Sequence, residues 1–215
     1  MIVSDPILII ITVLVTLAIS VTLHEYMHGY VAYKLGDNTA KYSGRLTLNP
    51  LAHIDPVTTV LLPIILALLT LPPFGAAKPV PFNPSNLRNG ETGLLMVSLA
   101  GPFTNLVLAA LGGFLFQVLP PGSFFTLNIL PWFIVLNLAF FVFNMIPFPP
   151  LDGSRLLYVL SPDPVRRFMQ SIEQMGIFGI GIFIIIGYNF LFPFLGAAIA
   201  VLSRWLTGVD ILLYL

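Results

Sequence analysis

The residues best suited to chemistry are two histidines one helical turn apart with an acid between them. His24-Glu25-Tyr26-Met27-His28 reads H-E-x-x-H. Side chains at i and i+4 project from one face of an α-helix. Two imidazoles so placed can grip one metal ion while the intervening carboxylate acts on water beside it. The chain holds three histidines, and two of them form this pair. The pair also sits near the end of an apolar run that begins at Pro6. Ionisable groups inside a membrane-length segment cost about 2.5–3.5 kcal/mol each on insertion scales, so those that persist usually serve a function. The plain alternative is a chance match on a helix end exposed to water.

The elements that must position this pair are membrane elements. Of the 215 residues, 57% are hydrophobic and 8% charged, against about 25% charged in a soluble domain. Several apolar runs approach the 20 or so residues that a span needs. The expected fold is therefore an all-α polytopic membrane protein of about five or six transmembrane helices, forming one membrane-embedded domain over residues 1–215. The formal net charge is zero, so nothing points to nucleic acid. The absence of cysteine excludes disulfides and thiolate metal sites, which leaves histidine and carboxylate as strong zinc ligands. The first run lacks a basic flank and an A-x-A-like cleavage site, and reads as a retained span.

In chain order, Pro6 to about Tyr33 is the first helix, ended by Gly36 and Asp37. Residues 37–56 are polar and turn-rich, with Tyr42, Arg45, Leu46, Thr47 and Leu48 reading weakly as extended chain. Asn49-Pro50 and Asp55-Pro56 are turn signals. His53, the third histidine, can be a ligand, a group that supports a ligand, or a loop residue bonding locally; turn chemistry favours the last. Val57–Leu71 is apolar, short for a span and interrupted by Pro63, and suits a re-entrant segment. Five prolines between Leu71 and Asn89 forbid a helix there; that strip can shape substrate access or simply connect.

Gly93–Leu119 is a full span carrying Ala100-Gly101-Pro102-Phe103-Thr104-Asn105, in which Gly101 and Pro102 invite a kink or close helix approach. Asn105 can serve the site or bond a neighbouring helix. Leu130–Ile146 follows, polar only at Asn137 and Asn144. Next, Asn144-Met145-Ile146-Pro147-Phe148-Pro149-Pro150-Leu151-Asp152-Gly153 is forced off the helix by its prolines. Irregular backbone at membrane depth must be buried in protein or line a wet cavity. Asp152, the one acid between Glu91 and Asp163, is thus a candidate third metal ligand, an N-cap for the helix starting near Gly153, or both. The polar stretch Ser161–Gln170 suits a membrane-face anchor. Met175–Phe192 and Leu195 to about Leu206 read as a last hairpin broken at Pro193, with Gly176, Gly179, Gly181 and Gly187 suited to close helix packing.

Positive charge in short loops marks the cytoplasm. If residues 57–71 do not cross, Lys34, Lys41, Arg45, Lys78, Arg88, Arg155, Arg166 and Arg167 share one side, and the 120–130 loop, which has no Lys or Arg, lies opposite. That arrangement puts the site nearer the cytoplasmic face.

Together these residues resemble the site-two protease family of intramembrane zinc metalloproteases. The resemblance rests on His24-Glu25-x-x-His28, Asn49-Pro50-Leu51-x-His53-Ile54-Asp55-Pro56, Lys78-Pro79-Val80-Pro81-x-Asn83, Ala100-Gly101-Pro102-x-x-Asn105 and Asn144-x-x-Pro147-x-x-x-Leu151-Asp152-Gly153. It implies one Zn2+ ion held by His24, His28 and Asp152. It makes Glu25 the base that activates water and then the acid that protonates the leaving amine. It places Asn105 and Asn144 near substrate or the tetrahedral intermediate. The implied activity is regulated intramembrane proteolysis of transmembrane protein substrates in the lipid bilayer, at the cell membrane. No PDZ or CBS domain fits within the chain, so the expectation is a minimal form, with any regulatory protein separate.

Two other readings use the same residues. A metal transporter would show several ligand sites along a path, and often a repeat with broken helices; this chain has one site and no repeat. A catalytically silent scaffold would have no need of Glu25.

Overall fold

A computed structural model of the chain describes residues 5–68 and 75–215. Pro72-Pro73 and the end of the 57–71 segment lie outside them. The Asp5 carboxylate accepts the Ile7 N–H at 2.9 Å, satisfying an otherwise orphaned donor at the start of α1 (Pro6–Lys34, 29 residues). The helix stops where Gly36 turns through φ +107°, a conformation open to glycine. At about 1.5 Å per residue, α1 exceeds the roughly 30 Å hydrocarbon core of a bilayer.

After α1 the backbone is held by short polar caps. Asp37 accepts from the Thr39 N–H at 3.1 Å and its hydroxyl at 2.6 Å, seeding α2 (Thr39–Tyr42). Tyr42 is therefore helical, while residues 45–49 are irregular; no β-strand occurs among the described residues. Asn49 caps a single turn at Pro50–His53 by accepting from Leu51 N–H. Asp55 accepts the Val57 and Thr58 N–H groups, both at 2.9 Å, and opens a wide turn leading into α3 (Leu62–Leu68).

Three helical stretches are long and apolar enough to cross a membrane, among the described residues: α1, α4 (Gly90–Val118) and Phe125–Asn144, whose last part is α5 (Leu130–Asn144). After them come α6 (Ser154–Leu160), α7 (Asp163–Gln174) and α8 (Ile177–Thr207). The expected hairpin broken at Pro193 is instead one continuous 31-residue helix containing that proline. Proline at membrane depth is tolerated in a helix because neighbouring groups can re-satisfy the freed backbone.

The chain groups into two compact units, Ala18–Gly101 and Met1–Leu17 with Pro102–Leu215. The first has Ala32, Leu87 and Val97 at its core. In the second, Ala109, Leu130, Ile134, Leu138 and Ile211 are buried together. Lipid is as apolar as these side chains, so close contact supplies the attraction here. A Cβ on Gly112 would lie 2.9 Å from Ile134 Cγ1, and one on Gly113 2.8 Å from Leu206 Cβ. Gly112 and Gly113 on α4 are thus close-packing glycines, and so is Gly179 of α8, where a Cβ would lie 3.0 Å from Ile172 O of α7. Gly181 and Gly187, expected in that role, meet no other helix among the described residues. Asn105 and Asn137 are fully buried, and Asn105 Nδ2 donates to Asn137 Oδ1 at 2.9 Å, tying α4 to α5.

Candidate metal and catalytic site

In α1, regular helix geometry brings the two imidazoles together. Their ring centroids lie 4.7 Å apart at an interplanar angle of 81°, and the two Nε2 atoms face each other at 3.0 Å. Both side chains are buried. His28 Nδ1 donates to the Val97 carbonyl at 2.7 Å. That bond puts the His28 proton on Nδ1, so Nε2 presents its lone pair, the arrangement metal-bound histidines adopt.

This half of the site fits a zinc ion. Two nitrogens each about 2.0–2.1 Å from one tetrahedral zinc are about 3.3 Å apart, close to the spacing seen. Room for the ion side of the rings comes from Gly101 on α4. A Cβ there would stand 2.6 Å from His24 Nε2 and closer still to His28 Nε2. The sequence suggests Gly101 only as a place for a kink or close helix approach; the structure puts it against both imidazoles. The steric demand involves a helix some seventy residues away, so no local pattern reveals it.

Glu25, half-buried, points one carboxylate oxygen at the backbone: Oε2 accepts the Val80 N–H at 2.9 Å. Val80 belongs to the proline-rich strip, whose two open readings gave no hint of this bond.

Asp152 lies in the second unit, on the turn after α5. That turn doubles back tightly. Gly153 N–H donates to the Asn144 carbonyl at 2.6 Å, and a Cβ on Gly153 would lie 2.5 Å from the Met145 carbonyl carbon and 2.9 Å from Asn144 O. Gly153 has φ −60°, so close approach, and not a positive φ, is what demands glycine. The N-cap position of α6 is Gly153, with no side-chain cap bond; the expectation that Asp152 caps this helix gives way to a one-residue shift along the turn. Asn144 Nδ2 donates to Phe140 O within its own helix at 3.0 Å.

His53 is 1% exposed, and its Nε2 donates to Thr47 O at 2.9 Å, a bond made within its own loop. Its carbonyl accepts the Lys78 N–H at 2.9 Å. Asp37 is held on four sides. Burial works to raise its carboxyl, but hydrogen bonds from the Thr39 hydroxyl, the Asn86 amide and the Asn83 and Thr39 N–H groups outweigh it and keep the carboxyl below its ordinary value.

Comparison with known proteins identifies the family. The model of peptidase family M50 matches residues 122–188, which include the Asp152 turn. YwhC of Bacillus subtilis, by its name a candidate zinc metalloprotease, is 41% identical over 170 residues, covering 75% of this chain and 74% of that protein. Rip2 of Mycobacterium tuberculosis, named in the same way, is 31% identical over 169 residues, 74% of this chain and 61% of its own length. A similarly named protein of Methanocaldococcus jannaschii is 33% identical over 155 residues, 70% of this chain and 71% of its length. No solved structure matches. Long apolar helices, an H-E-x-x-H pair and a relative aligned over three quarters of both chains lead to one conclusion: this chain is an integral membrane protein belonging to peptidase family M50.

Proposed function

We propose that the protein is an intramembrane zinc endopeptidase that cleaves peptide bonds within or near transmembrane segments of membrane-protein substrates. In this reading both compact units work as a single membrane-embedded domain, and one zinc ion is held by His24, His28 and Asp152. The observation that carries it is the His28 Nδ1 bond to Val97 O, which turns Nε2 toward His24 Nε2 in a space that Gly101 keeps open. Two imidazoles and one carboxylate leave a fourth position open, the pattern of catalytic zinc.

When bound, zinc supplies Lewis acidity, polarising a carbonyl and making water more acidic. The rest falls to the protein. Glu25 takes a proton from water as the water oxygen adds to the scissile carbonyl carbon. It then gives that proton to the amide nitrogen as the C–N bond breaks, leaving a carboxylate and an amine. Asn144, half-buried at the end of α5, is assigned to the substrate backbone or the tetrahedral intermediate. Asn105, whose side-chain amide donates to Asn137 Oδ1, is assigned to the same role.

The site is placed nearer the cytoplasmic face of the cell membrane, on the charge asymmetry of the loops. In that case Lys41→Cys, Lys78→Cys and Arg166→Cys label from the cytoplasm and Ser123→Cys from the other side. Labelling of the first two from opposite faces would contradict it.

The function is tested in liposomes carrying a single-span substrate. Wild-type protein should cut it, and Glu25→Gln should keep zinc without cutting. Zinc flux into the liposomes that is unchanged in Glu25→Gln would favour transport over proteolysis.

A further inference from the structure

The proline-rich segment 76–83 is held at alternate residues. Ala76 N–H donates to Thr58 O at 3.0 Å and Lys78 N–H to His53 O at 2.9 Å. Val80 N–H donates to Glu25 Oε2 at 2.9 Å. Donors two residues apart are the period of an extended chain and share one edge. Lys78 and Val80 each precede a proline, which biases both toward extended backbone.

The remaining contacts fix the segment in place. The Thr58 and Thr59 hydroxyls donate to Ala76 O at 2.9 and 2.7 Å. Arg45 Nη2 donates to Lys78 O at 2.7 Å. At the far end Asn83 N–H donates to Asp37 Oδ2 at 2.7 Å. Val80 is buried, and a Cβ on Gly29 would lie 2.9 Å from its Cγ1. Its side chain is thus seated on α1 one residue past His28, which leaves its amide little freedom to drift. On the opposite edge, Pro79 and Pro81 have no N–H to offer a second strand.

We propose that this segment is a positioning element for the proposed base, with the Val80 N–H orienting the Glu25 carboxylate. The inference rests on the reading of Glu25 as base given above. A backbone N–H on an ionised carboxylate is a charge-assisted bond, stronger and shorter than a neutral one. Its donor is anchored from both ends of the segment, so the carboxylate is held where it can take and return a proton. The paired prolines keep the segment from being drawn off into pairing with another strand.

The test exchanges only the Val80 amide for an ester, using the α-hydroxy acid of valine, which removes the N–H and keeps the side chain. Val80→Ala, which keeps the N–H and trims the side chain, is run beside it. Zinc content, kcat and KM are read on the purified proteins with the single-span substrate. The ester protein should keep its zinc and its KM while kcat falls about 10- to 100-fold, the scale of a mispositioned catalytic group. Val80→Ala should lose far less. An ester protein with kcat within about twofold of wild type, one that loses zinc with its activity, or one that loses no more than Val80→Ala would overturn the inference. If Glu25→Gln cuts as wild type does, the fault lies in the reading of Glu25 and not in the segment.

Discussion

The two regions that carry the proposed ligands solve the same problem in different ways. His24 and His28 are set by the repeat of a regular helix: four residues apart, they meet at 3.0 Å with no special backbone. Asp152 sits on a proline-rich turn that folds back onto the end of α5, closed by the Gly153 N–H on Asn144 O. The helical half depends on its neighbours for space and for a tautomer. The turn half depends on its own backbone for shape. Substitutions should therefore act at a distance in the first region and locally in the second.

The largest effect is expected at Gly101. Any side chain there collides with both imidazole Nε2 atoms, so Gly101→Val should remove zinc and lower cleavage about 100-fold or more. Helicity by circular dichroism should stay near wild type. Zinc bound at wild-type level in Gly101→Val would break the claim that the helical half needs this space.

Gly153→Val should follow. Its Cβ would press on the Met145 and Asn144 carbonyls, and crowding of this kind typically costs about 1–3 kcal/mol. A lower melting temperature in detergent together with lost cleavage is expected, with Asp152 intact. Normal stability and turnover would show that the turn is more pliant than its contacts indicate.

His53→Ala should be milder. It gives up a buried hydrogen bond to Thr47 O, worth about 0.5–1.5 kcal/mol net, so a modest fall in melting temperature is expected with zinc content unchanged. Loss of zinc in His53→Ala would move that histidine into the ligand set.

The smallest effect concerns pH. The Asp37 carboxyl is held below its ordinary value of 3.8 by its hydrogen bonds. A depressed folded-state value means stabilisation that is full above 3.8 and is lost as pH falls below it through the folded-state value. Asp37→Asn should flatten that acid limb of the stability curve. A curve that keeps its acid limb in Asp37→Asn would assign the loss to another carboxylate.

What could be read in the sequence followed the same division. The His24–His28 pair, α1, α4 and α5 were legible because helical period and apolar length are local properties. Asp152 stood out because it is an acid among prolines. Gly101 was visible as a residue but not as a wall of the site, since its partners lie on another helix. The Val80 bond to Glu25 was hidden for the same reason, because any residue but proline carries an N–H. The final hairpin was misread because Pro193 signals a break in water, whereas a long apolar helix can absorb it. Of the α8 glycines assigned to packing by type, Gly179 does approach Ile172 O of α7, but Gly181 and Gly187 meet no other helix among the described residues. Type alone did not pick out Gly112 and Gly113, in the middle of an unbroken span.

The most direct measurement is zinc content and single-span cleavage in wild type, Glu25→Gln and Asp152→Asn, purified in parallel. Asparagine keeps the size of Asp152 and removes its charge, which a divalent ion in low-dielectric surroundings needs. One zinc per protein is expected in wild type and Glu25→Gln and almost none in Asp152→Asn, with cleavage by wild type alone. An Asp152→Asn protein that keeps its zinc and cuts normally would contradict the shared site.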